Sequence, residues 1–328
     1  MLMKELSRKT LALLIAFALQ LTVTSAAWAA SFAAGGATAS STEDYINIDE
    51  SYIAIGEDIV LGTFSVAIGS NTRMDNYAVA IGWNAEVRAD RGTAVGSYSK
   101  ASGPCAAAFG VGAVASGDWS TAIGTNAKAS GDYGTAVGYS AEASCYNGTA
   151  VGNDAKATGS KSAAYGNAAN AGGDDSSAFG AGALATGVNS TASGASSTAR
   201  GVGSAAYGAG SIAHNSGSIA IGQNSVSGCE SGLSYGPHPD YKEVDDPNAL
   251  VVIGEVEVYN TTAIGKGAQA THSLSTALGA NANASGYYGT ALGESAVASG
   301  FYSTATGVSS CASGHKSTAI GVESLASG

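Results

Sequence analysis

The chain has 328 residues, 47 of them Gly, with 12% charged and 7% aromatic residues. So little aromatic volume cannot fill a thick globular core, yet a hydrophobic share of 45% is too apolar for a disordered chain. A formal charge of −11 has the wrong sign for nucleic-acid binding, which leaves a long, thin, repetitive object.

Residues 1–29 read as a secretory signal. Lys4, Arg8 and Lys9 form a positive start, Leu11 to Leu19 is an unbroken apolar run, and Ala27-Trp28-Ala29 supplies small residues for cleavage after Ala29. A membrane anchor is the weaker reading, because Gln20 and Thr22 interrupt a run that needs about 20 mostly apolar residues to span. The leader holds Lys4, Arg8, Lys9 and Glu5, so its loss takes the charge from −11 to −13. Residues 30–47 are expected to be a flexible N-terminal tail, since Ser31 to Ser41 is a Ser/Ala/Gly tract without period. Tyr45-Ile46-Asn47-Ile48 is the first stretch of alternating β-branched residues.

Residues 48–328 are built from one repeated unit. Triads at Ala54-Ile55-Gly56, Ala67-Ile68-Gly69 and Ala80-Ile81-Gly82 are spaced by 13, and a strict 14-residue beat then carries the triad glycine from Gly82 to Gly222. A period this strict marks a solenoid, in which each unit buries its apolar side only by stacking on the next. Counted from the triad glycine as zero, positions 11–13 hold a strand such as Ile219-Ala220-Ile221, and positions 3–5 a second, such as Ala127-Lys128-Ala129. Turn-forming Ser-Gly or Thr-Gly pairs and the triad glycine separate them. Two strands and two turns per unit make an all-β, flattened parallel β-roll.

Strand alternation sorts the side chains. Positions 3, 5 and 12 are mostly Ala and face an interior with room only for small groups, while position 4 carries Lys128, Glu142 and Lys156 outward as a ladder of opposite charges. Positions 11 and 13 also point out, yet carry Val66 with Ile68, Val79 with Ile81, Ile219 with Ile221, and Ile123, Val137 and Val151. Soluble monomers seldom expose so long an apolar strip, so these residues are expected to be a shared interface, with Ser193 and Thr306 as breaks. The beat lapses after Gly222; the next triad, Val252-Ile253-Gly254, comes 32 residues later. Pro237, Pro239 and Pro247 lie between, beside Tyr235 and Tyr241, so residues 229–249 are expected to leave the roll as a dispensable loop. The beat resumes at Gly265.

The Val-Ala-Ile-Gly triads, the Ala-x-Ala-Ser-Gly half turns and the 14-residue period resemble the YadA-like head of trimeric autotransporter adhesins, built from haemagglutinin-like repeats. The resemblance implies a left-handed roll, three chains side by side, and display on a Gram-negative surface, where the head sticks to host matrix, host cells or other bacteria. Attachment to the outer membrane then needs a downstream anchor, and without one the protein is secreted.

Catalytic chemistry finds little support. His214, His238, His272 and His315 are scattered, the Gly-x-Gly strings are repeat turns, and only Asp118 and Asp132 place acids at one position on neighbouring turns. No catalytic residue, cofactor, metal or small-molecule substrate is therefore expected. Trp119 and Tyr133 share position 9, as do Tyr288 and Tyr302, while Tyr287 and Phe301 share position 8. Such strips, with Tyr235 and Tyr241 of the loop, are candidates for gripping a matrix protein or a surface glycan; equally, ladders of like residues stabilise turns. Cys105, Cys145, Cys229 and Cys311 fall too far apart along the roll to pair within one chain. The leading reading is an adhesin head; its rival is a trimeric spike or fibre segment whose rigidity is its function. An ice-binding face is weaker, because Thr121, Thr135 and Thr149 alternate with Ile or Val instead of a second Thr.

Overall fold

The computed structural model describes residues 31–33, 45–49, 52–56, 58–228 and 260–328, and every regular element among them is a β-strand. The chain divides into two compact units, Met1–Ala113 and Val114–Gly328. Each is a parallel β-solenoid.

In the second unit every turn carries one three-residue and one two-residue strand. Thr121–Ile123, Thr135–Val137 and Thr149–Val151 pair in parallel, so that Thr meets Thr, Ala meets Ala and Ile123 meets Val137. Lys128–Ala129, Glu142–Ala143 and Lys156–Ala157 do the same on the opposite face. Corners join the two faces. Ala127 N donates to Gly124 O at 3.2 Å, and Gly134 N to Gly131 O at 2.9 Å, so two i to i+3 turns lie seven residues apart. The third residue of each corner, Asn126 and Tyr133, sits at φ 57°, as a type II turn demands.

Alternation then settles the interior. Ala127, Ala129 and Ala136 are fully buried, while Lys128 is exposed and Thr135 and Val137 are half-buried. The lysine–glutamate ladder keeps the expected register, but Lys128, Glu142 and Lys156 make no ion pair within 4 Å among the described residues, unlike Glu86 with Arg88 and Lys100. Side chains on a flat face stand parallel, and exposed ends gain too little to bend together. Cys105, Cys145 and Cys311 are free thiols, and Cys229 lies outside the described residues.

Position 7 shows how closely the rungs approach. Where it is Gly131, its N–H and that of Ser130 both reach Ala143 O, at 3.2 and 2.8 Å. A Cβ on Gly131 would stand 2.0 Å from Cys145 O. Where Cys145 or His272 takes this place, the backbone keeps the bond from the preceding residue: Ser144 N to Ala157 O at 3.1 Å, or Thr271 N to Ala284 O at 3.2 Å.

The ladder runs straight past the lapse in the beat. Ile219–Ile221 pairs directly with Thr262–Ile264, and Val226–Ser227 with Gln269–Ala270, so the next rung is not the triad at 252–254. Buried hydroxyls line the seam, with Thr261 Oγ1 2.8 Å from Ser218 Oγ and 2.7 Å from Ser227 Oγ. The loop expected at 229–249 and the signal at 1–29 both lie outside the described residues.

The first unit opens with Tyr45–Asp49 antiparallel to Tyr52–Gly56, and Ser31–Ala33 runs parallel to Tyr45–Asn47. Tyr52–Ile55 then pairs in parallel with Ser65–Ile68, and Val66–Ile68 with Val79–Ile81, so the 13-residue turns stack like the longer ones. The interior of the first unit is not restricted to small groups. Ile59, Met74 and Val87 are buried here, and Gly92 answers Val87, since a Cβ at that glycine would lie 2.5 Å from Val87 Cγ1.

Candidate functional site

Two features of the surface stand out, an apolar column on the three-residue-strand face and aromatic ladders at the corners. In the first unit Val66 pairs with Val79 and Ile68 with Ile81, followed by Val95 and Phe109. All these side chains are half-buried or exposed, whereas the Ala between each pair is fully buried. In the second unit the position-13 column runs Ile123, Val137, Val151, Tyr165, Phe179, Ser193, Tyr207 and Ile221. It continues through Ile264, Leu278, Leu292, Thr306 and Ile320. At a rung spacing of about 4.8 Å this is an apolar line on the order of 60 Å long.

A search for β-branched residues missed Phe109, Tyr165, Phe179 and Tyr207, although they occupy the triad's Ile position. Phe179 is 42% and Ile123 42% exposed, and the Tyr165 and Phe179 rings stack 5.3 Å apart. Position 11 is mixed. Ile219 is 37% exposed, but Thr262, Thr276, Thr290, Thr304 and Thr318 make the neighbouring column mostly hydroxylic.

The corners hold the aromatic residues, and only some of the expected pairs meet. Tyr133 packs edge-on against Tyr146 at 5.7 Å, while Trp119, 59% exposed, takes no ring contact among the described residues. Tyr288 and Tyr302 stack at 4.6 Å, and Phe301 contacts Tyr302 at 4.6 Å and Tyr287 at 5.8 Å. His272 and His315 extend this cluster, 5.3 Å from Tyr287 and 5.7 Å from Phe301. Two further pairs lie in the first unit, Phe64 with Tyr77 at 5.3 Å and Trp83 with Tyr98 at 4.8 Å. Phe64 and Tyr77 occupy the same position of the 13-residue turns, whereas Trp83 and Tyr98 sit one position apart in their units. Tyr235 and Tyr241 lie outside the described residues.

Backbone geometry explains why these rings stack. Trp119, Tyr133, Tyr288 and Tyr302 all sit at φ between 54° and 57°. A left-handed conformation costs a side-chain-bearing residue about 1–2 kcal/mol, and ring stacking returns about 0.5–1.5 kcal/mol. Stacking covers one face each of Tyr288 and Tyr302, which stay 42% and 43% exposed, whereas Trp119 is 59% exposed. Asp132 does not join Asp118 as an acid pair: its Oδ1 accepts from Asp118 N at 3.0 Å, tying one corner to the next. Asp174 treats Ser160 N the same way at 2.8 Å. Among the described residues no three His, Cys, Asp or Glu side chains converge as metal ligands.

Burial lowers the pKa of His272 from its ordinary 6.5. The unfolded chain then binds this proton more readily than the folded one, so the His272 contribution to stability is present above the unfolded pKa and is lost as pH falls below it. Denaturant melts between pH 7.5 and pH 5 are expected to show falling stability on acidification. His272→Asn, which puts there the residue found at Asn215, is expected to flatten that slope; an unchanged slope would place the titration elsewhere.

The YadA head domain repeat, in its two-copy form, matches residues 76–99, 101–127, 115–141, 143–169, 171–197, 185–213, 259–282, 284–310 and 312–328. A search of curated proteins finds no match to the chain. The matched stretches cover more than half of the sequence and follow the stacked turns of both units, with the gap falling where the ladder closes over the inserted segment. The chain belongs to the family of YadA head domain repeats.

Proposed function

We propose that the chain is the head of a homotrimeric, surface-exposed adhesin that binds host matrix, host cells or other bacteria without covalent chemistry. The observation that carries this reading is the apolar column of position 13, which one chain leaves open to water and which three chains, packed face to face, would cover. The two-residue-strand face and the corners then stay outward and provide the adhesive surface. Trp119 and Tyr133 are the first candidates there, followed by the Tyr287, Tyr288, Phe301 and Tyr302 cluster and by Tyr235 and Tyr241 of the inserted segment. Export follows from the signal read at residues 1–29; outer-membrane attachment requires an anchor downstream, and without one the head is secreted.

The test is saturable binding of the purified chain to a panel of immobilised matrix proteins and to whole host cells. Trp119→Ala combined with Tyr133→Ala is expected to weaken that binding about tenfold, the scale of an aromatic hot spot. The covered ring faces of the Tyr288–Tyr302 ladder favour a second reading, a rigid spike segment with no ligand. A folded trimer that binds none of these surfaces would make the spike its function.

A further inference from the structure

The first unit carries a polar cleft on its two-residue-strand face, lined by Asn71, Arg73, Asn84, Glu86, Arg88 and Lys100. Successive rungs bring Arg73 beside Glu86 and Glu86 beside Lys100. Glu86 is the inner member, its side chain 12% exposed, with Arg88 Nε donating to Oε1 and Lys100 Nζ 3.8 Å from Oε2. Those two cations keep 63% and 49% of their side chains in solvent, so most of their donors face outward. Arg73 is exposed and lies within 4 Å of no carboxylate among the described residues. Asp75, which shares the column of Arg88 one turn away, makes no ion pair within that distance. Asn71 Nδ2 donates to Asn84 Oδ1 at 3.1 Å, which orients the Asn84 amide and leaves its own N–H groups as donors.

Three cations against one carboxylate give the cleft a net +2 on a chain whose formal charge is −11. The composition is as uneven as the geometry. Of the four arginines beyond residue 30, Arg73, Arg88 and Arg91 fall together. We propose that this cleft binds a sulfated polysaccharide. Guanidinium forks make paired, charge-assisted bonds to sulfate oxygens, and the amide donors of Asn84 suit sugar hydroxyls. The positive charge is drawn out along rungs about 4.8 Å apart, a row that matches a linear polyanion better than a single ion. The site is complete within one chain and lies away from the three-residue-strand face, so it does not rest on the trimeric adhesin reading.

Heparin and inorganic sulfate are the probes, titrated into the full chain at low and at physiological salt. The wild type is expected to bind heparin with an affinity that falls as salt rises, and inorganic sulfate about a hundredfold more weakly. Arg73→Ala with Lys100→Ala is expected to weaken heparin binding about tenfold. Lys128→Ala with Lys156→Ala, which removes the same charge elsewhere on the same kind of face, is expected to change it less than about twofold. Equal losses in the two double variants would reduce the effect to net charge and overturn the site. So would a wild type that heparin does not retain, while sulfate bound as tightly as heparin would overturn the polymer in favour of a point anion.

Discussion

Replacing Gly152 by Ala is expected to break the stack locally, whereas replacing Gly203 by Ala is expected to leave it nearly intact. Gly152 has φ +140°, a region that is essentially glycine-only and costs other residues about 1–3 kcal/mol. A Cβ there would also stand 2.3 Å from Gly166 O and 2.6 Å from Gly166 C. Those atoms are backbone of the next rung and cannot rotate away. To admit the methyl the rung must shift, at the expense of the Gly166 N to Val151 O bond of 2.9 Å. Strain and overlap together should cost about 4 kcal/mol or more, in the range that only a named structural fault produces. Gly203 is at φ +64° with nothing within 4 Å of its virtual Cβ, so it should lose only the left-handed preference, about 1 kcal/mol. Hydrogen exchange of the rungs on either side reads both, because a solenoid transmits a fault through neighbouring units. Similar losses at the two glycines would show that rung contact does not set the role of the triad glycine.

This contrast also marks where the sequence could be read and where it could not. The 14-residue beat, the inward Ala at positions 3, 5 and 12, and the outward Ile or Val at position 13 all follow from strand alternation applied to a repeat. The corners were harder. Their left-handed residues include Asn126, Ala168, Tyr133, Trp119 and Leu274, which share a backbone conformation but no side-chain type. The conformation is imposed by the ladder bonds of adjoining rungs, such as Tyr133 N to Asp118 O at 2.8 Å, so no single residue announces it. The first unit was misleading for a related reason. Its 13-residue turns keep the register of the three-residue strands, yet Ile59 and Met74 within them, and Val87 in the 14-residue turn that follows, are buried at interior positions that carry Ala elsewhere. The anion cleft gave no motif, because Arg73, Glu86 and Lys100 become neighbours only once two turns of different length are stacked.

Asp in place of both Ile123 and Phe179 is expected to convert a trimer into monomers without disturbing the roll. Both side chains point out of the three-residue-strand face, each about two-fifths exposed in a single chain, so neither substitution touches the Ala interior. Their column contains Val137, Val151, Tyr165, Tyr207 and Ile221 as well, an apolar line interrupted at Ser193 yet longer than soluble monomers normally leave in water. Covering it at about 25 cal/mol per Å² would supply the driving force for association. Each Asp would bring a carboxylate into that dry contact, and around a threefold axis it would face its own copies instead of a cation. The expected change is a fall in mass to one third by light scattering at micromolar concentration, with the far-ultraviolet β signal retained. Ser193→Asp is the companion variant. It lies in the same column at a rung that is already polar, so it is expected to weaken the trimer less than the pair at Ile123 and Phe179. A wild type that is monomeric at that concentration would mean the apolar column is stable in water, and the trimeric reading would fall with it.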